Sequence, residues 1–421
     1  MRKLERRSKA KGQKSTIAIA MLLASGFWLL TPAYATRLLT NGFEENNFTN
    51  TAWNTVSNAT LQAVTVYSGT YAVECNLSAS SCVALRNLPS AVTSGTYYMR
   101  GYFRWAAFPT VTQTTFSVAS STPTASCMTQ QVNSTNKVRI RNNLTGTQVD
   151  STNALSTDTW YRIEMRALLA DAGGECEAKV YDTGGTLLED ISITGEDTLP
   201  TTISQFRWGA GTNNANAHIF FDDVALNDNS GSFENSWNGD GRIELLKPAS
   251  DNTVTWTKTG ANCSGTTNTD CVDDEPGLPD DASGYNSTSS VQTDRFNSTS
   301  LPAEVPSDAH IILADVYARL GGSSTTGNNT ARVALWDETG TKTVGPTYAG
   351  CDTTTWTLMA TDQHLVFDAG TRTKSNINSF DWGYEPVSLN QTCRATSVWV
   401  NVEWTPAPPA AQAMPPRRVT W

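Results

Sequence analysis

The chain has 421 residues, of which 39% are hydrophobic and 17% charged, and a net charge of −10. That length suits two or three domains, and the composition is too apolar for general disorder and lacks the long apolar runs of a polytopic membrane protein. Seven basic residues and one acidic residue fall within 1–14, which leaves 23 basic against 39 acidic groups, or −16, for the remainder. A chain this acidic is a poor nucleic-acid binder, so no nucleic-acid partner is expected.

Residues 1–35 read as an export signal. A basic stretch precedes the apolar run 16–30, and Ala33-Tyr34-Ala35 supplies a small-residue cleavage site. The apolar run is shorter than the ~20 residues a spanning helix needs. The expectation is cleavage near Ala35 and a secreted, extracellular or cell-surface protein with no membrane span after cleavage. Beyond the signal the hydrophobic period is two. Alternating strands are predicted at 97–105 (YYMRGYFRW), 137–141, 160–166 (WYRIEMR), 178–181 and 218–226. The turn-forming cluster 227–232 (NDNSGS) ends this series, and strands resume at 242–246, 311–320, 331–336 and 398–404. No window of a dozen residues carries a helical period. The predicted fold class is all-β, two antiparallel β-sandwich domains in tandem at 36–232 and 233–406, with a Pro/Ala-rich flexible tail at 407–421.

The eight cysteines fit export, because an even count in an exported chain points to disulfides. Sequence proximity pairs Cys75 with Cys82, Cys127 with Cys176, Cys263 with Cys271 and Cys351 with Cys393. No CxxC occurs, and the three histidines are scattered, so a zinc site is not expected.

Asn41-Gly42-Phe43-Glu44, Ser68-Gly69-Thr70-Tyr71-Ala72, Trp160-Tyr161-Arg162-Ile163-Glu164 and Phe221-Asp222-Asp223-Val224, in this order, resemble the concanavalin A-like (laminin-G-type) jelly-roll domains. The following 227–248, with the acidic loop around 273–285, is similar to the junction of bacteriophage-type virion and tail proteins, where a jelly roll leads into a second β-domain. The resemblance implies two jelly-roll-like sandwiches; it carries fold and not function. It further implies that acids of the first and last strands, Glu44 with Asp222 and Asp223, hold a structural Ca²⁺ at the domain edge. Hydrogen bonding at a strand end is the other reading of these three residues. Strand alternation allows only one of the two neighbouring aspartates to face the core side.

A second acidic group, Asp273, Asp274 and Glu275, lies in a loop dense in carboxylates, which suits either a hard cation or simple solvation. No cofactor is required by any motif. Arg100, Arg104, Lys137, Arg139, Arg141, Arg162 and Arg166 fall on outward phases of the first-domain strands, together with Tyr98, Tyr102 and Trp160. Aromatic faces stack on sugar rings and guanidinium forks hold carboxylates or sulfates, so Tyr98, Arg100, Tyr102, Arg104, Arg139 and Arg162 are the candidate ligand residues. A solvated polar face is the competing reading.

G-x-S-x-G, H-E-x-x-H and Walker A motifs are absent, as is the E-x-D-x-x-E run of glucanases with this fold. The expected function is therefore non-catalytic binding of a glycan or cell-envelope polymer. A structural or adhesive protein of phage-tail type and a polysaccharide-degrading enzyme are the alternatives. Binding predicts an aromatic–basic patch, assembly an extended apolar surface, and catalysis a cleft with converging titratable groups.

Overall fold

The computed structural model describes residues 37–407, apart from breaks at 49–51, 78–80, 121–124, 210–216, 264, 277, 282, 325–328, 353 and 359–364. The export signal and residues 408–421 of the tail lie outside the described residues. Everything described belongs to one compact unit.

Period-two patterning builds four antiparallel sheets, so the all-β class read from the alternation is the observed one. Sheet 1 runs in spatial order Leu187–Glu196, Gly174–Tyr181, Trp160–Leu169, Gly95–Ala107, Ala217–Asp228, Ala72–Leu77 and Thr60–Gln62, with Arg37–Asn41 also pairing with Ala217–Asp228. Sheet 2 runs Gln148–Ala154, Lys137–Asn142, Ala125–Val132, Gln113–Ala119, Ile203–Trp208, Val83–Val92 and Thr55–Ser57. Phe103, Trp105, Ile163 and Met165 of sheet 1 share one buried core with Phe116, Ile140, Phe206 and Trp208 of sheet 2.

Sheet 3 runs Thr257–Thr259, Tyr285–Thr288, Cys393–Thr405, His310–Gly322 and Thr357–Leu358, with Arg242–Leu246 also pairing with Cys393–Thr405. Sheet 4 runs Pro248–Thr253, Asp294–Ser298, Asp381–Ser388, Thr330–Trp336 and Lys342–Val344. Val316, Val398, Val400 and Trp404 of sheet 3 pack in a second core with Phe296, Val333, Leu335 and Trp382 of sheet 4. Each such side chain contributes about 1.5–3 kcal/mol on burial, and the cores need no long helix.

The cysteines form four disulfides, Cys75–Cys82, Cys127–Cys176, Cys263–Cys271 and Cys351–Cys393, the pairs that sequence proximity predicts. Cys127–Cys176 joins sheet 2 to sheet 1 through the first core. Such bonds suit an oxidising compartment. Among the described residues no helix is long and apolar enough to cross a membrane.

Candidate functional site

Tyr98, Arg100, Tyr102 and Arg104 pair across sheet 1 with Arg166, Glu164, Arg162 and Trp160. All of them project outward, as alternation predicts, yet the face they form is closed. Arg100 is fully buried. Its guanidinium donates to Asp223 O at 3.1 Å and pairs with Glu403 of sheet 3, whose other oxygen is held by Arg37. Burial alone would raise the Glu403 carboxyl, but Arg100 and Arg37 outweigh it and hold the group below its usual range.

Tyr102 is also buried. It stacks on Tyr67 with ring centroids 3.7 Å apart and donates its hydroxyl to Asp240. Arg162 pairs with Glu164 at 3.0 Å and lies over Tyr181, while Tyr98 meets Trp237 edge-on. Arg104 is half-buried and pairs with Asp158 at 2.7 Å. Residue 241 has to be glycine, because a Cβ there would collide with the Glu403 carboxylate and the Arg100 guanidinium.

The expected open ligand face through these residues is therefore corrected. The segment 233–241 and sheet 3 cover most of it, and Arg139 sits on sheet 2, paired with Asp150 at 3.0 Å. Alternation fixes which way a side chain points. It carries no information on a cover supplied by residues about 300 positions away, such as Glu403 over Arg100.

Glu44, Asp222 and Asp223 gather at the edge of this closed face. The expectation that only one aspartate turns to a given side fails, because Asp223 is a bulge residue with φ 45°. The register jumps between Asp222 and Ala225, and Ile219, Phe221, Val224 and Leu226 become the core set. Both aspartates are fully buried.

The Glu44 oxygens accept the N–H groups of Thr70 and Tyr71 at 2.9–3.0 Å. Asp222 accepts from Tyr67 N–H at 2.9 Å and Ser68 N–H at 3.4 Å, and through its other oxygen from Asp223 N–H at 2.8 Å. Asp223 takes the Ser68 hydroxyl at 2.7 Å and Ile243 N–H at 2.9 Å. Together they clamp the 67–71 loop and tie it to the Arg242–Leu246 strand. Burial, with Glu244 and Asp223 adding repulsion, pushes Glu44 up to about 8. Burial pushes Asp223 up to about 7, and burial with Asp223 pushes Glu244 up to about 8.

The charge and the all-oxygen donors suit a hard cation such as Ca²⁺. In the arrangement described, all six oxygens of Glu44, Asp222 and Asp223 accept hydrogen bonds, and no three acidic, histidine or cysteine side chains among the described residues converge at metal-ligating geometry. The second acidic group is split. Glu275 turns to Lys247 at 2.7 Å, whereas Asp274 accepts Asp280 N–H at 2.9 Å and is pushed by burial, then by Asp280 and Asp273, to about 6. Asp273 is exposed.

The outer face of sheet 2 is different. Register places Thr55, Leu85, Arg207, Ser117, Met128, Arg141 and Gln148 in one row across seven strands. Thr114, Gln130 and Arg139 form the next row. Although they point away from the core, Ser117, Met128 and Gln130 are only 5–9% exposed, so the row has a recessed floor.

Arg207 donates to Gln205 Oε1 at 2.6 Å, and burial lowers its pKa. Among the described residues neither Arg207 nor Arg141 has a carboxylate partner, and the Nε of each is buried and unpartnered. Three strand spacings separate them, roughly 14 Å. Arg141 carried the outward signal in the sequence. Arg207 did not, because its six-residue strand is too short to be read alone.

No family model matches the chain, and no curated protein matches it. Solved structures give distant likenesses. The cellulose-induced protein Cip1 aligns with TM-score 0.34 and 12% identity over 48% of this chain and 99% of Cip1. A Trypanosoma rangeli sialidase aligns with TM-score 0.30 and 12% identity over 43% of this chain and 27% of the sialidase. The binding domain of botulinum neurotoxin serotype D aligns with TM-score 0.29 and 12% identity over 41% of this chain and 42% of that domain. Likenesses this distant carry no functional argument.

Proposed function

We propose that this protein is an exported, non-catalytic binding protein, and that its ligand is an acidic glycan or cell-envelope polymer held on the outer face of sheet 2. The observation that carries the reading is the pair Arg141 and Arg207, two guanidinium groups without carboxylate partners among the described residues, on a recessed floor of Met128, Gln130 and Ser117. A half-buried guanidinium without a counter-charge is costly to keep, and a carboxylate or sulfate satisfies it through two parallel hydrogen bonds. Two such groups roughly 14 Å apart on one row suit a polymer with repeated acidic substituents. Gln130, Gln205 and Thr114 supply donors and acceptors for sugar hydroxyls.

The test is affinity electrophoresis of the exported chain in gels holding polygalacturonate, chondroitin sulfate or neutral galactan. Retardation by an acidic polymer, weakened about tenfold by Arg141→Ala with Arg207→Ala, supports the reading. Equal mobility of wild type and double variant in every gel overturns it. A structural Ca²⁺ at Glu44, Asp222 and Asp223 belongs to the same proposal. Its support is the close grouping of three carboxyl groups with no ion-pair partner among the described residues, an all-oxygen donor set that a divalent cation would neutralise.

A further inference from the structure

The outer face of sheet 3 is covered over most of its length. At one end it meets the first sandwich, where Asn401 donates to Thr40 O at 2.9 Å and Glu403 binds Arg37 and Arg100. In the middle it lies under the acidic loop. Asp273 bridges to Ser397, and Asp281 takes two N–H groups of Arg319 at 2.8 Å each. At the far end Tyr285, Trp356 and Arg394 remain half-exposed. Arg394 and Glu403 stand nine residues apart on one strand, about 30 Å, so this end is remote from the joint between the sandwiches.

The far end has a defined chemistry. Register sets Thr257, Ser287, Arg394 and Gly321 in one row and Thr259 with Tyr285 in the next. The Trp356 indole rests on Gly321, where a Cβ would come within 3.0 Å of the ring. The Tyr285 and Trp356 rings stand 5.7 Å apart at 55°, and the Arg394 guanidinium lies 5.0 Å from the Tyr285 ring centroid. Among the described residues no carboxylate pairs with Arg394. Beside it opens a hollow of about 250 Å³, lined only by hydroxyl and amide side chains, among them Thr255, Thr257, Ser287, Gln292 and Thr392. Ser287 and Thr257 belong to both the row and the hollow.

We propose that this end of sheet 3 is a second saccharide site, separate from sheet 2. Its ligand is a pyranose sugar stacked on Trp356 and Tyr285, with a carboxylate or sulfate on Arg394 and neighbouring hydroxyls in the Ser/Thr hollow. A sugar ring presents an apolar C–H face with a polar rim, and here two aromatic rings are bordered by hydroxyls and one uncompensated cation. An apolar protein partner would meet hydroxyls on most of this surface. A nucleic acid would meet a chain of −16 outside residues 1–14.

The test uses the whole exported chain and the same three polymer gels, with isothermal titration for affinities. Trp356→Ala is expected to weaken binding to the retarding acidic polymer about tenfold, and Trp356→Phe, which keeps a ring on Gly321, to restore most of it. Arg394→Ala is expected to abolish the preference for acidic over neutral polymer that remains in an Arg141→Ala/Arg207→Ala background. Near-ultraviolet circular dichroism and the melting temperature report whether each variant is folded. The inference is overturned if folded Trp356→Ala and Arg394→Ala bind all three polymers as wild type does, or if the double arginine variant alone removes all binding. Loss with Trp356→Ala while the double arginine variant binds normally upholds this site and sinks the sheet 2 reading. No binding of any polymer by wild type sinks both.

Discussion

The outer faces of sheets 1 and 2 are written in the same code and have opposite fates. Both alternate apolar-in and polar-out, and both put arginines outward. On sheet 1, Arg100 and Arg162 meet Glu403, Glu164 and Asp240, and the face is sealed by residues 233–241 and by sheet 3. On sheet 2, Arg139 is neutralised locally by Asp150, whereas Arg141 and Arg207 have no acidic partner among the described residues. A counter-charge from sheet 3 closes the sheet 1 face at Arg100, and the lack of one among the described residues sets Arg141 and Arg207 apart from Arg139 on sheet 2.

The largest effect is expected at the joint. Glu403 is fully buried and holds both Arg37 and Arg100. Glu403→Ala strands the buried Arg100 guanidinium and leaves Arg37 with Glu234 alone, a change that typically costs about 3–5 kcal/mol. Urea unfolding should show this loss, while affinity for acidic polymer in the folded variant stays unchanged. A loss below about 1 kcal/mol would mean that the sheet 1 face is not closed by this contact and would erase the contrast with sheet 2.

The carboxylates along the joint come next, through pH. Glu44 and Glu244 are pushed up to about 8, and Asp223 and Glu45 to about 7, chiefly by burial. A carboxyl whose pKa is raised on folding binds its proton more tightly in the folded state. The unfolded chain therefore releases protons first as pH rises, and stability falls from about pH 4.5 to about pH 8. Glu403 and Glu385 are shifted the other way and withdraw their stabilisation only as pH falls below the ordinary carboxylate range. The melting temperature should therefore peak near pH 5 and decline toward pH 8, and Glu44→Gln should flatten the decline. Recovery at pH 8 on adding Ca²⁺ would support the cation proposal. A melting temperature that climbs from pH 5 to pH 8 in chelator contradicts the burial of these groups.

The sequence made some of this legible and hid the rest for a physical reason. Period two in 97–105 and 160–166 placed Tyr98, Arg100, Tyr102 and Arg104 on one face correctly, because side-chain direction is a local property of a strand. Cysteine proximity sufficed for the disulfides. Concealed were the contacts that decide what a face does. Glu403 reaches Arg100 across 303 positions, and Arg37 reaches Glu403 across 366. The bulge at Asp223 was equally invisible, since an extra residue shifts the phase without changing composition. Glu244 joins the Glu44 cluster only because the Arg242–Leu246 strand pairs with Cys393–Thr405.

The smallest expected effect on stability is also the sharpest test of the contrast. If sheet 2 carries a site, its uncompensated arginines contribute little to the fold. Arg141→Ala and Arg207→Ala should each change unfolding free energy by no more than about 0.5 kcal/mol, as surface substitutions away from structural contacts do. Arg207 offers a finer reading, because burial depresses its pKa with no acid to oppose it. Removing that charge relieves desolvation, so Arg207→Met, which keeps a long apolar stem, should leave the melting temperature level or raise it slightly. Arg100→Met makes the matched comparison: the same chemical change on sheet 1 leaves Glu403 with one partner in place of two, and the protein should be clearly less stable. Equal destabilisation by the two substitutions would mean that Arg207 contributes to the fold as an ion-paired arginine does, and would remove the contrast between the outer faces of sheets 1 and 2.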